Sequence, residues 1–373
     1  MSDPRVLVVA QQLRRGVPGG IGTYARGLLR GLGALAEDGG DQRPGTGDGV
    51  GVEVSVYASR APSGGAGDPL ARFGYPVVAS RLPGPLLTRA WDRGVMRAPA
   101  GFDVVHSVSL AAPLAPGVPE VVTVHDVAWR HRPGAYHRRG RQWHEAAFTR
   151  ALRRAAHLVV PSEPVARDVA AAGAAAGTVS VIPPGSDHLP PPDDDAAGAL
   201  LASKGVTGPF LLSVSTIEPR KNLPRLFAAY EMARASMAAP LPLVVVGPVG
   251  WGPDVGTGEG VVFAGRVGDA TLAALYRRAR LLAYVPLEEG FGLPPLEAMF
   301  LGTPVVSSDV PGAGSASLIV EPTDVEQIGR AIVEVASDDA LRARLVAAGT
   351  AHASGLTWAA TARAHVTLWR QLR

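Results

Sequence analysis

The chain of 373 residues contains no cysteine. This absence excludes disulfide bonds, thiolate metal sites and cysteine nucleophiles, and it fits a reducing compartment. No apolar run approaches the roughly 20 residues that a membrane-spanning helix needs. The first apolar run, Arg5 to Ala10, is short and closely followed by charge, as in a buried strand rather than a signal peptide. We therefore expect a cytoplasmic protein.

Charged residues are also sparse, at 18%, whereas hydrophobic residues make up 47% of the chain. This composition supports full-sized hydrophobic cores, and the length suggests two domains. Charge is uneven, because residues 1–187 carry 21 arginines against 15 acids, while the remainder has 15 basic and 18 acidic residues. The first half therefore prefers anionic surfaces or substrates, with a solvated basic face as the alternative. An anionic membrane surface is a candidate partner, and nucleic acid is not expected.

The first half alternates short apolar runs with helical patterns, which favours a doubly wound parallel sheet. Two helices are predicted, over Ile21–Ala36 and Gln142–Ala156. The predicted strands, apolar on both faces as in buried parallel sheets, are Val6–Ala10, Val52–Tyr57, Val104–His106, Val121–His125 and Leu158–Pro161.

A segment dense in proline, glycine and aspartate, Ile182–Asp195, interrupts this pattern. Its composition is incompatible with a helix or a central strand, so it is predicted to be the interdomain linker, with the aspartates 193–195 as solvated linker charge. The predicted domains are residues 1–187 and 188–355, and a last helix pattern lies in 356–373.

A second alternating series follows the linker and predicts another open parallel sheet. Asn222 and Asp269 are predicted to cap helices, and Asp324 to lie in a first helical turn. Because ligands bind at the carboxyl ends of such strands, two facing lobes would form a deep cleft. The predicted strands are Phe210–Ser215, Leu243–Gly247, Val261–Gly265, Leu281–Val285, Pro304–Ser308 and Leu318–Glu321.

The segment richest in candidate functional residues, residues 288–299, follows one of these strands. Gly290 and Gly292 allow close backbone approach to a ligand, and a helix start directly behind them favours phosphate. Two carboxylates bracket the loop, Glu289 before it and Glu297 one turn into the helix, where a carboxylate can accept hydrogen bonds from ribose. A glycine-rich turn with a capping glutamate is the alternative.

A second loop, Ser215–Asn222, also follows a strand and carries Arg220 and Lys221. Two cations before a helix start oppose the helix dipole, and no nearby acid is expected to neutralise them. A bound diphosphate would make this placement favourable, so the pair is a candidate diphosphate site.

The first half contributes a glycine-rich loop with Gly19 and Gly20, and a strand-terminal His125 followed by Asp126. The histidine can hydrogen-bond a sugar hydroxyl, or the pair can cap a loop. His106 ends another strand, and a functional and a structural role are both possible for it. The spacing of the glycines in the glycine-rich loop matches a dinucleotide-binding fingerprint. The match begins too many residues after its strand, however, and the next strand ends without an acid to bind ribose.

Together these motifs resemble the retaining glycosyltransferases of family 4, which have the two-lobed GT-B fold. The resemblance rests on the Glu289-x7-Glu297 spacing, on Glu218-Pro-Arg-Lys-Asn222 and on the early Gly19-Gly-Ile-Gly22 loop. Val246-Gly-Pro, Gly302-Thr-Pro-Val-Val and Ile182-Pro-Pro-Gly extend it over nearly the whole chain, in order.

The resemblance implies a role for each motif. Glu297 would bind donor ribose, and Glu289 would lie beside the transferred sugar, which His125 would contact from the first lobe. The last helix would cross back to that lobe. The other implied donor-site residues are Glu218, Arg220 and Lys221 around the diphosphate, the glycines and amides of Gly290, Phe291, Gly292 and Leu293, and Gly19 and Gly20 near the phosphates or acceptor.

The implied activity is a retaining transfer of a hexose from a nucleotide sugar to a saccharide, lipid-linked or small-molecule acceptor. Metal independence is expected from the residues themselves, because no paired acids stand at the end of a predicted strand and Arg220 and Lys221 can supply the positive charge. GDP-mannose is the preferred donor, no cofactor is expected, and contact with the inner membrane face is an additional expectation. The alternatives are a sugar-nucleotide epimerase of the same fold, a nicotinamide dehydrogenase and a non-catalytic sugar-nucleotide-binding protein. One departure from the family pattern affects the donor pocket: residues 310–317 are shortened and lack the usual Leu-Pro-Glu-Val step.

Overall fold

The computed structural model describes residues 3–38, 51–61, 67–252, 254–256 and 258–373. The chain divides into two compact α/β units. The first lobe comprises Met1–His131, Tyr136–His188 and Leu356–Arg373, and the second comprises Arg132–Ala135 and Leu189–Gly355. Each lobe has its own sheet and hydrophobic core.

A seven-stranded parallel sheet in the order β3-β2-β1-β4-β5-β6-β7 forms the centre of the first lobe. The strands are β1 (Arg5–Val9), β2 (Glu53–Ala58), β3 (Val77–Ala79), β4 (Val104–Ser107), β5 (Glu120–Thr123), β6 (His157–Val160) and β7 (Val179–Val181). The sequence pattern misses β3 and β7. Both are three-residue edge strands with no fully buried residue, so they lack the apolar pattern of the central strands.

Helices cover the first sheet, and their ends differ slightly from the predicted ones. They are α1 (Gly19–Asp38), α2 (Gly84–Asp92), α3 (Ala128–His131), α4 (Arg138–Arg154) and α5 (Glu163–Ala171). The first begins two residues before Ile21, at a glycine with φ of 60°. The fourth begins four residues before Gln142, in a run of exposed arginines that carries no apolar periodicity.

The second lobe contains a six-stranded parallel sheet in the order β10-β9-β8-β11-β12-β13. Its strands are β8 (Leu211–Val214), β9 (Leu243–Val246), β10 (Val261–Gly265), β11 (Leu281–Tyr284), β12 (Val305–Ser307) and β13 (Leu318–Ile319). With the parallel sheet of the first lobe, it confirms the predicted architecture of two doubly wound α/β lobes.

The expectations for three aspartates at helix starts in the second lobe are wrong in detail. The helices are α6 (Asp194–Ser203), α7 (Leu223–Ser236), α8 (Asp269–Arg278), α9 (Leu293–Phe300), α10 (Val325–Ser337) and α11 (Asp339–Ser354). Asp193 is not linker charge, because its side chain accepts a hydrogen bond from Ala196 N–H and caps α6. Asp324 caps α10 instead of lying in its first turn, and Asp269 lies in a first turn instead of capping.

The last helix, α12 (Trp358–Gln371), belongs to the first lobe and packs on α1. The approach is close, because a Cβ added to Gly27 would overlap the Trp358 ring and one added to Gly31 would overlap the Trp358 carbonyl. Glycine at both positions therefore lets α12 contribute buried side chains, among them Trp369 and His365, to the first-lobe core.

In each sheet the strand order reverses once, between β1 and β4 and between β8 and β11. Ligands of open α/β sheets bind outside the carboxyl ends of the strands at this reversal.

Among the described residues, no helix combines the length and apolarity that crossing a bilayer requires.

Candidate active site

The strand reversal in the second lobe brings the two predicted donor loops together. Strands β8 and β11 are paired neighbours, with Leu211 opposite Leu281 and Leu212 opposite Leu282. The loops after them, residues 215–222 and 285–292, therefore leave the same sheet edge side by side. Leu287 N–H donates to the Arg220 carbonyl at 2.9 Å, which fixes one loop against the other.

A compact group of ionised side chains lies where these loops meet. Lys221 Nζ donates to Glu289 Oε2 and to the Tyr284 hydroxyl, the latter at 3.1 Å. The Tyr284 hydroxyl in turn donates to Glu289 Oε2 at 2.9 Å, and Arg220 Nη1 lies 3.2 Å from the same oxygen. One carboxylate oxygen thus gathers two cations and a phenol.

These contacts show that the expectation of Arg220 and Lys221 without a neutralising acid is wrong. Burial would raise the pKa of Glu289, but the charges of Arg220 and Lys221 outweigh it and lower the pKa to about 2. Glu289 lies 68 residues along the chain, so the sequence around the cations cannot reveal it.

A second buried acid, Glu218, also contacts the cations. Its Oε1 accepts from Arg220 Nη2 at 3.0 Å, and burial raises its pKa because the nearby cations offset desolvation only in part. Arg220 further donates to the Glu288 carbonyl at 3.1 Å. The guanidinium is therefore held on several sides before any ligand contact is considered.

Asn222 joins the loop to α7 by a different route from the predicted side-chain cap. It has φ of 60°, and its side chain makes no capping hydrogen bond. Its amide instead donates to the carbonyls of Val285 and Pro322, at 3.0 and 2.7 Å. Asparagine tolerates this left-handed backbone, and the two bonds fix the loop that carries the cations.

The glycine-rich loop leads directly into α9, as expected, with Pro294 and Pro295 in the first turn. Gly292 has φ of 94°, and Gly290 and Phe291 are buried with it. The N–H groups of Gly292 and Leu293 stand at the positive end of this helix, a favourable place for an anion. The structure thus places all four predicted loop residues at the carboxyl end of β11.

Glu297 lies one turn into α9 and is 6% exposed. Its Oε2 accepts a 2.7 Å hydrogen bond from the Tyr276 hydroxyl on α8, which fixes the carboxylate orientation. The Tyr276 pKa is raised well above its usual value by burial and by the Glu297 charge, so the phenol remains a donor. The Glu297 carboxylate, which is predicted to bind ribose, is therefore held in one orientation.

The predicted residues of the first lobe follow its own strands. Gly19 and Gly20 are exposed at the start of α1, and a Cβ added to either would have no atom within 4 Å. Their backbone is open to approach.

His125 follows β5 and its Nε2–H donates to the Val108 carbonyl at 2.8 Å. Burial lowers its pKa, so the ring is neutral near pH 7 and Nδ1 is left as a hydrogen-bond acceptor. The Tyr24 ring meets it edge-on, with the ring centroids 4.8 Å apart. Asp126 accepts from Ala128 N–H at the start of α3, as the capping alternative predicts for that residue.

His106, the open candidate, is fully buried and belongs to the core. Its ring stacks on His365 of α12 at 5.1 Å, and its Nε2 lies 2.9 Å from the Thr123 hydroxyl. His365 Nδ1–H donates to the Thr361 carbonyl, so its neutral ring accepts at Nε2 from the Tyr24 hydroxyl at 3.0 Å. Burial lowers the pKa of His365 to about 4.

Sequence reasoning misses three tyrosines of these sites: Tyr24, Tyr276 and Tyr284. Only Tyr284 leaves a usable signal, because a polar aromatic ends an otherwise aliphatic buried strand. The other two lie inside helices and meet partners on remote segments.

Among the described residues, no three His, Asp or Glu side chains converge as metal ligands would. Metal independence stays a prediction.

Two family models match successive parts of the chain. The family model described as Glycosyltransferase Family 4 matches residues 48–188, and the model described as Glycosyl transferases group 1 matches residues 202–352. The chain belongs to the family 4 glycosyltransferases.

Curated relatives of this glycosyltransferase include O-antigen chain mannosyltransferase B of Escherichia coli, 38% identical over 40% of the chain and 42% of the relative. The serotype-specific mannosyltransferase WbdA of Escherichia coli is 32% identical over 41% of the chain and 20% of that protein. The matches thus span less than half the length of these two relatives. A D-inositol 3-phosphate glycosyltransferase of Acidothermus cellulolyticus is 29% identical over 74% of the chain and 68% of its own length.

Solved structures support the GT-B fold across the chain. HepE of Anabaena, in complex with UDP and glucose, matches with a TM-score of 0.72 and 18% identity over 99% of this chain and 100% of that one. WaaG, a glycosyltransferase involved in lipopolysaccharide biosynthesis, matches with a TM-score of 0.66 and 18% identity over 97% and 99%.

Proposed function

We propose that this glycosyltransferase transfers a hexose, with mannose preferred, from GDP-mannose to an acceptor hydroxyl, with retention of anomeric configuration and without a metal. The observation that carries the proposal is the pair Arg220 and Lys221, fixed at the strand reversal against the loop that leads through Gly292 into α9. Similarity to an O-antigen chain mannosyltransferase and to a serotype-specific mannosyltransferase supports the choice of sugar.

The two cations stabilise the negative charge that develops during transfer. As the bond from the anomeric carbon to the donor phosphate oxygen breaks, negative charge collects on the departing diphosphate. Donors already held in place stabilise such charge without reorganisation, which is the most effective electrostatic contribution to catalysis. Arg220 and Lys221 are held in this way by Glu289, Tyr284 and the Glu288 carbonyl.

Retention places the acceptor on the face that the diphosphate leaves. The acceptor oxygen bonds to the anomeric carbon, and its proton passes to the released phosphate oxygen. Glu289 fits an orienting role better than a nucleophilic one, because a carboxylate with a pKa of about 2 is weakly basic. In this scheme His125, neutral with Nδ1 as an acceptor, receives a hydrogen bond from a hydroxyl of the transferred sugar.

A donor and product assay tests the proposal. GDP-mannose and UDP-glucose are each incubated with a saccharide acceptor in excess chelator, and the new bond is assigned by its one-bond carbon–proton coupling. The expected result is free GDP together with a retained mannosyl product. An inverted product, an absolute need for magnesium or isomerised donor without nucleoside diphosphate release would contradict it, and the last would favour an epimerase.

We propose that one face of α2 binds an anionic membrane surface, where the enzyme meets its saccharide or lipid-linked acceptor. Leu86 is 50% exposed there, and Arg89 and Arg93 share that face at helical spacing. Beyond it Val95 is 74% exposed and Arg97 is exposed. Each arginine near such a surface contributes about 1 kcal/mol. Sedimentation should show salt-sensitive binding to phosphatidylglycerol vesicles that Arg89→Glu with Arg93→Glu abolishes; equal binding to neutral vesicles would contradict this.

A further inference from the structure

The shortened segment after β12 lies directly against the glycine-rich donor loop. Gly312 N–H donates to the Phe291 carbonyl at 2.6 Å. A Cβ added to Gly312 would overlap the Gly292 carbonyl oxygen and come within 3.0 Å of the Phe291 ring. Val310 packs on the same loop, because a Cβ added to Gly292 would lie 3.0 Å from its Cγ2.

These contacts fix the direction of two amides. In a trans peptide the C=O and the following N–H point in opposite directions. Since the Phe291 carbonyl faces Gly312, the Gly292 N–H is directed away from the segment. The Gly292 carbonyl also faces Gly312, so the Leu293 N–H is directed away as well. Two successive N–H groups pointing to one side form an anion-binding concavity.

Helix α11 supports both sides of this arrangement. His352 Nε2–H donates to the Gly312 carbonyl at 3.3 Å, which holds the segment from behind. Three residues earlier, Gly349 packs on α9, since a Cβ there would lie 2.8 Å from Met299 Cγ. The loop is thus bounded by the segment and by α9, and both rest on one helix.

We propose that Gly312 is a positioning residue for the donor site: it holds the Phe291 and Gly292 carbonyls so that the Gly292 and Leu293 N–H groups point at the donor diphosphate. In this chain the short segment 310–314 supports the donor loop by backbone contact and therefore requires a residue without a side chain. The proposal rests on the proposed function for what the two N–H groups bind.

The test compares Gly312→Ala with Gly208→Ala by titration calorimetry with GDP and with guanosine. Gly312 has no positive φ, so alanine there acts through its methyl group alone, whereas a Cβ at Gly208 meets no atom within 4 Å. Displacing the loop by about 1 Å should weaken GDP binding roughly 10- to 100-fold. Guanosine binding should be unchanged, and Gly208→Ala should match the wild type for both probes.

Equal losses for GDP and guanosine, or no loss for either, would overturn the proposal. If Gly312→Ala does not fold, His352→Ala decides, because it removes the hydrogen bond behind Gly312 and the ring beside Gly314 while the residues of the donor loop stay unchanged. It should weaken GDP about threefold relative to guanosine, on the scale of one neutral hydrogen bond. An unchanged ratio would overturn the proposal.

Hydrogen exchange separates this proposal from the proposed function. A peptide covering residues 286–300 should exchange faster in the folded variant than in the wild type, whether or not a donor binds. Unchanged exchange would overturn the support by Gly312. A wild-type chain that binds neither GDP nor UDP would contradict the proposed function. If Gly312→Ala still exchanged faster in that case, Gly312 would support the loop, but the two N–H groups would not bind a diphosphate.

Discussion

The two lobes bury polar groups beside their candidate sites in opposite ways. In the second lobe the buried Glu289 remains ionised because the charges of Arg220 and Lys221 lower its pKa. In the first lobe His125 and His365 remain neutral because burial lowers their pKa and outweighs the opposite effect of the carbonyls to which their rings donate. Under the proposed function, the paired charges stabilise the leaving diphosphate, and the neutral His125 ring binds an uncharged sugar.

The two lobes should lose stability over different ranges of acidic pH, and this is the largest effect we expect. In the unfolded chain histidine binds a proton below about pH 6.5. In the folded chain burial prevents protonation of His365 until the pH falls to about 4. Its contribution is therefore complete above pH 6.5 and is lost as the pH falls to 4, by about 3 kcal/mol. The lowered pKa values of His106 and His125 act in the same direction.

Glu289 behaves similarly at lower pH. Its unfolded carboxyl binds a proton below about pH 4.5 and the folded one only near pH 2, so about 3 kcal/mol is lost over that window. Urea unfolding at stepped pH, followed by tryptophan fluorescence, reports mainly the first lobe, which holds Trp91, Trp129, Trp143, Trp358 and Trp369. A first lobe as stable at pH 4.5 as at pH 7, or His365→Gln with an undiminished acid response, would break the comparison.

Arg220→Ala should lower kcat by about 100-fold, or about 2.7 kcal/mol, the scale for removing one transition-state donor. It also leaves Glu218 and Glu289 with less compensating charge. Arg330→Ala is the matched control, since its partner Glu326 lies one turn away on an exposed helix face. Steady-state kinetics within a few-fold of the wild type would remove the cations from the mechanism.

The two glutamates of the second lobe should separate kinetically. If Glu297 binds ribose, Glu297→Ala should raise the donor KM about tenfold, the scale of a lost pair of hydrogen bonds. Glu289→Ala should instead lower kcat, since it releases Arg220 and Lys221. Tyr276→Phe, which keeps the Glu297 carboxylate, serves as the mild control. The same kinetic signature for both alanine variants would refute this division.

The smallest contrast compares the two tyrosines that bond these groups. Tyr284→Phe removes a donor to an ionised carboxylate and should reduce activity several-fold. Tyr24→Phe leaves His365 Nε2 buried without its donor and should cost about 1 kcal/mol of unfolding free energy with little change in kcat. Kinetics and thermal unfolding of both variants measure this; equal effects on activity would show that the lobes do not differ in this way.

Much of the fold follows from local pattern. Central strands such as Leu243–Val246 and Leu281–Tyr284 are continuous apolar runs because parallel strands are buried on both faces. The edge strands β3 and β7 of the first lobe escape this reasoning because they are only three residues long and partly exposed. Capping is only half predictable: Asp193 and Asn222 have suitable side chains, but the conformation of the neighbouring backbone decides whether each one caps.

The sequence by itself determined the two parallel-sheet lobes, the family and the loops that carry Arg220, Lys221, Glu289 and Glu297, because apolar period and motif spacing are local properties. Only the tertiary structure decided the partners of these side chains. Strand order puts β8 beside β11, and this adjacency joins Lys221 to Glu289 across 68 residues. Helix packing likewise brings His365 to Tyr24 across 341 residues. The charges of its partners then keep Glu289 ionised and burial keeps His365 neutral, and both effects depend on neighbours that are distant in the sequence.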